Sequence, residues 1–139
     1  MVSLVDARET IYQRFVTQWG ATSAYTFDNE AYDPPVNTPW VRVAVRHLIS
    51  RLNAIGGTGQ GGFNLYQREG ECVIQVFIPS NQGTRTADTL AQAARAIFEG
   101  VTLASNAIRF NNVEIREIGE SDNWYQVNVE AEFQYDERK

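Results

Sequence analysis

WYQVNVEAEFQY, running from Trp124 to Tyr135, carries the cleanest pattern in the chain. Tyr125, Val127, Val129, Ala131, Phe133 and Tyr135 alternate with Gln126, Asn128, Glu130, Glu132 and Gln134. A period of two turns one face of a strand to a core and leaves the other to water or to a partner. Such a strand needs neighbours to pair with and something apolar to cover its inner face.

The nearest neighbour is immediately upstream, where the polar turn GESDN separates this stretch from a second strand reading, about Ile108 to Ile118. Further back, Ala87, Leu90, Ala91, Ala94, Ile97 and Phe98 form a stripe at helical spacing, and its alanines let a helix axis lie close to a sheet. Thr84 or Thr86 is the candidate cap, Asp88 suits the positive end of the helix, and Gly100 is the stop. A first helix starts at Ser3, with Asp6 completing a weakened capping box, and places Leu4, Ile11, Phe15 and Trp19 on one stripe before Gly20 ends it.

Between the helices the periodicity changes. Ala21 to Pro39 has no period, and Asp33-Pro34-Pro35 with Pro39 predicts a stiff extended connection. From Trp40, Val41, Val43 and Val45 face one way and Arg42 and Arg46 the other, a strand reaching to about Ile49. Five glycines in Gly56 to Gly62, GGTGQGG, predict a flexible loop over 53–62, followed by a short strand around Phe63 to Arg68. Glu69-Gly70 reads as a hairpin turn into Glu71 to Ile78, and Pro79 stops that strand. The expected fold is a single α+β domain over 1–139, with two helices packed on one face of a mostly antiparallel sheet of four to five strands. The expected order is α-β-β-β-α-β-β.

Composition narrows the function. The chain has 139 residues, 43% hydrophobic and 21% charged, with a formal net charge of −5. Those values fit one globular core, and the acidic balance opposes a protein that grips phosphate backbones. No apolar run is long enough to span a membrane. Cys72 is the only cysteine, which excludes an internal disulfide, and its place in CVIQVFI predicts a buried, inert thiol.

Candidate chemistry is thin. The glycine run lacks the Lys and Ser or Thr of a phosphate loop, because Gly62 leads into Phe63-Asn64-Leu65. His47, the only histidine, falls in phase with the apolar face of its strand and reads as structural. Asp28, Glu30 and Asp33, or Asp136 and Glu137, match no calcium-loop spacing and read as solvated charges. No catalytic, cofactor or metal residues are expected. Arg42 and Arg46, with Arg51 and Arg68, form a basic stripe, and Glu130 and Glu132 an acidic one. On opposite edges of the domain these two would pair head to tail between copies; within one sheet they would be cross-strand neighbours.

The order of these features resembles the bacteriophage tail terminator-like family. The shared features are the helix ending at Trp19, the double proline before Trp40-Val41-Arg42, and the strand closing in Phe77-Ile78-Pro79. The loop containing Gly83, the helix ending in Phe98 and the late Trp124 strand complete them. The resemblance implies a non-enzymatic virion protein, a tail completion component that caps the tail tube as a homohexameric ring. That ring ends tube polymerisation and offers the head a surface to join. It further implies the tube protein and a head-completion or neck protein as partners, with DNA passing through the lumen without specific binding. The location implied is the neck-proximal end of the tail after assembly in the host cytoplasm.

Arg42, Arg46, Glu130, Glu132 and Trp40 are then the expected subunit interface. Gly56, Gly57, Gly59, Gly61, Gly62, Asn81, Gln82 and Arg85 are the expected tube or neck contacts. For Trp40 and Trp124, core packing is the alternative to an interface role. A head–tail connector or minor tail adaptor is the second function these residues admit, and a small enzyme using a divalent cation the third.

Overall fold

The computed structural model of the protein describes residues 2–55 and 64–138. Its elements, in order, are α1 (Leu4–Trp19), β1 (Ala24–Phe27), β2 (Trp40–Ala54), β3 (Leu65–Pro79), α2 (Arg85–Phe98), β4 (Thr102–Leu103), β5 (Ile108–Ser121) and β6 (Trp124–Arg138). One sheet in the order β1-β2-β3-β6-β5-β4 takes in every strand among the described residues. β1 runs parallel to β2 and the remaining pairs are antiparallel.

The alternation in β6 does what its spacing requires. Val127, Val129, Ala131, Phe133 and Tyr135 are buried, and Val41, Val43 and Val45 of β2 and Cys72, Ile74, Val76 and Ile78 of β3 join them. Both helices cover this same face, α1 through Ala7, Ile11, Phe15 and Trp19 and α2 through the six residues of its predicted stripe. Ser3 caps α1 as a capping box, its hydroxyl accepting the Asp6 N–H at 3.1 Å. Leu4 lies outside the stripe expected of it, exposed near the helix start, and Ala7 takes the inner position.

The fold is α+β as expected, with six strands in place of four to five and the order α-β-β-β-α-β-β-β. Two strands escape the pattern because they are short. β1 has four residues, inside the segment read as a stiff connection, and pairs Ala24 to Phe27 with Trp40 to Val43. Its parallel sense follows from the twelve residues, 28–39, that return the chain to the starting end of the sheet. β4 has two residues, facing Ile108 and Arg109.

The hairpin expected at Glu69-Gly70 does not exist. β3 passes straight through it, with Gly70 opposite His47 on one side and Phe133 on the other. Glycine is there for space: a Cβ on Gly70 would overlap the carbonyl oxygen of Arg46 and come within 2.7 Å of Phe133 Cζ. β2 and β3 are joined between Ala54 and Leu65, and Asn53 and Ala54, expected in the glycine loop, belong to β2. Gly56, Gly57, Gly59, Gly61 and Gly62 lie outside the described residues.

Candidate assembly surfaces

β2, β3 and β6 are 15 residues long each, and they define two ends of the molecule. Fifteen residues at roughly 3.3 Å per residue hold those ends about 45 Å apart. At one end β2 begins, β3 stops at Pro79 and β6 begins at Trp124. Three loops meet there, and a cavity of about 520 Å³ opens between Pro34, Pro35, Asn81, Gln82, Asn123 and Trp124. Asn81 and Gln82 are expected contact residues; the prolines beside them carry no such signal, because nothing in the local sequence joins 34–35 to 81–82. Arg85 is exposed at the first turn of α2. At the other end β2 closes at Ala54 and β3 opens at Leu65.

Trp40 is 4% exposed and packed within its own chain. Its ring stacks on Phe77 with centroids 4.3 Å apart, meets Trp124 edge-on at 6.0 Å and lies 5.2 Å from Tyr32. The Arg42 guanidinium covers the indole at 5.2 Å. This cluster forms a second apolar patch on the sheet face away from the helices, so Trp40 anchors a loop region rather than standing free.

Arg42 and Arg46 lie on that same open face, and so do Glu130 and Glu132. Register settles their relation: Arg46 is opposite Glu71, and Glu71 is opposite Glu132. The basic and acidic residues therefore share one sheet face but lie two strands apart, with β3 between them, so they are not direct cross-strand neighbours. Glu130 accepts an ion pair from Arg116 of β5 at 3.2 Å. Glu71, between the two rows, has its carboxyl pushed up by burial first and then by Glu130 and Glu132, with Arg46 and Arg116 opposing.

His47 points to the helix side, where its Nε2 is 2.8 Å from Tyr135 Oη. Burial holds its pKa below the ordinary value, and the guanidiniums of Arg8 and Arg68 add to the effect. The two side chains line a cavity of about 440 Å³ with Leu4, Val5, Leu48 and the Arg68–Glu137 pair. Cys72 is fully buried with its thiol pushed far up by desolvation. Glu30 accepts the Phe27 N–H at 3.3 Å, and Asp28 uses its own N–H on the Val43 carbonyl. Among the described residues no group of three or more His, Cys, Asp and Glu is placed to hold a metal ion. Nor is any helix there long and apolar enough to cross a membrane.

The fold is thus a helix-backed sheet with one open face. A family model described as phage tail terminator protein matches residues 8–133. The chain belongs to that family, a family of structural proteins of the phage tail. A solved structure titled only with a sequence label superimposes with a TM-score of 0.64 at 16% identity, covering 92% of this chain and 94% of that one, a likeness of fold. No functionally curated protein matches.

Proposed function

We propose that the protein caps a phage tail tube as a hexameric ring of identical copies, ending tube growth and presenting the surface to which the head joins. The observation that carries this reading is the family match over residues 8–133. The two ends of the sheet support it. A terminator has to meet the last tube ring on one side and a different partner, a head-completion or neck protein, on the other, while refusing a further tube subunit. Sheet ends about 45 Å apart give each partner its own surface.

Net negative charge suits a channel wall along which DNA slides without being held. In this reading the ring sits at the neck-proximal end of the tail, put there during assembly in the host cytoplasm. The test is electron microscopy of lysates from the encoding phage with a stop codon at Trp40. Overlong tubes without heads are the expected result. Tails of normal length joined to heads would reject the reading.

A further inference from the structure

We propose that copies of this chain join edge to edge, the outer edge of β2 in one copy taking the outer edge of β5 in the next; this rests on the ring reading above and names the surface that closes it. Both edges are open over long stretches. β1 covers β2 only from Trp40 to Val43, and α1 satisfies Val45, whose carbonyl accepts from Arg8 at 2.9 Å and whose N–H donates to Tyr12 at 3.4 Å. Beyond Arg46 no described strand covers the outer edge of β2. β4 covers β5 only at Ile108 and Arg109. Open edges carrying apolar side chains are liabilities for a lone chain. Here Ile49 and Leu52 are about half exposed on one, and Ile115 and Ile118 are 36% and 48% exposed on the other.

The charges on the two edges are opposite. The open stretch of β2 carries Arg46 and Arg51, the latter exposed and shared with Glu69 of β3 at 3.1 Å, and that of β5 carries Glu114, Glu117 and Glu120 against the single Arg116, itself paired with Glu130. A basic edge and an acidic edge on opposite sides of one sheet are what a head-to-tail contact requires. β2 and β5 run in opposite senses. Copies arranged in a ring with a common strand sense therefore meet antiparallel.

Bulges limit the regular ladder to Ile49–Leu52 on β2 and to Asn112–Glu117 on β5. Residues opposite one another in a pair must point to the same face. With Arg51 opposite Glu114, Leu52 falls opposite Val113, Ser50 opposite Ile115, and Ile49 beneath the aliphatic stem of Arg116. Shifting two residues one way sets Arg51 against Arg116. Shifting two the other way sets Ile49 against Glu114. One register alone matches both charge and apolar character.

Within a subunit Glu114 lies level with Ala44, through Glu130 and Val73. Reaching Arg51 takes about six residue steps of roughly 3.3 Å, across four strand spacings of roughly 4.8 Å. The strands then incline to the ring axis by about 45°, at the upper end of the tilt that closes sheets on themselves.

The full-length chain is the material for the test. Arg51→Glu and Glu114→Arg, both at exposed positions, should each weaken self-association about tenfold or more by native mass spectrometry and sedimentation, and the double variant should restore it. A chain carrying both Leu52→Cys and Val113→Cys should give a ladder of disulfide-linked oligomers, whereas either cysteine alone should not, since the contact joins two different edges. A wild-type oligomer unaffected by the charge reversals, and no ladder from the double-cysteine chain, would overturn the pairing and leave the ring reading standing. A wild type that stays monomeric at every concentration would remove both.

Discussion

Gly70 and Arg46 approach so closely across β2 and β3 that the Arg46 carbonyl oxygen occupies the place a Gly70 side chain would need. Phe133 closes the other side, with its Cζ 2.7 Å from that position. Both obstacles are firm, one being backbone and the other a 1% exposed ring. Gly70→Ala should therefore destabilise the fold by about 3 kcal/mol, the upper range of overpacking, measured as a shift in denaturant midpoint. A midpoint within experimental error of wild type would contradict the packing described.

His47 should make stability depend on pH. Its folded pKa lies below the ordinary value, so as pH falls through about 6.5 the unfolded chain takes up a proton that the folded chain resists. The stability it contributes is complete at higher pH and is lost as pH falls towards the folded pKa. The difference in unfolding free energy between wild type and His47→Gln should change between pH 7.5 and 5.5, with wild type losing more. Parallel curves would show that His47 titrates alike in both states.

Glu71 acts with the opposite sign. Its raised pKa means that the charged carboxylate is disfavoured by the fold, a cost fully present above the folded pKa and relieved as pH drops below it. Glu71→Gln should raise the thermal midpoint at pH 7, and the gain should vanish at acid pH, where Glu71 is protonated in both states. A variant less stable than wild type at pH 7 would show that Arg46 and Arg116 outweigh the crowding.

The turn between β4 and β5 places Ala104, Ser105 and Asn106 consecutively at φ of 53°, 55° and 71°. Asn tolerates this region, whereas Ala has no compensating side-chain bond there. Ala104→Gly should stabilise by up to about 1 kcal/mol, seen in chemical denaturation. A loss of stability would mean that the Ala104 side chain makes up the strain by packing.

The sequence made some of this architecture legible and hid the rest for physical reasons. The alternation of β6 was readable because one of its faces is buried from Val127 to Tyr135, and the α2 stripe because a helix on a sheet must bury one side. Gly70 misled because glycine serves a tight turn and a close backbone approach equally well; only its neighbours across the sheet, 24 and 63 residues away in the chain, tell them apart. β1 and β4 are shorter than any period can reveal. The pairing of Pro34 and Pro35 with Asn81 and Gln82 is a property of where strands start and stop. The open edges show no local signal either, because an edge is defined by where β1 and β4 stop covering β2 and β5.

β3 is paired with β6 along its whole length and with β2 from Leu65 to Phe77. A pull applied between the loops at Pro79 and the opposite end of the sheet runs along the strands, at right angles to the hydrogen bonds between them. Such a load shears the ladders, and many bonds have to give way together instead of opening one after another. The long sheet is thereby a stiff strut along one direction, able to carry mechanical tension from one end of the molecule to the other without unzipping.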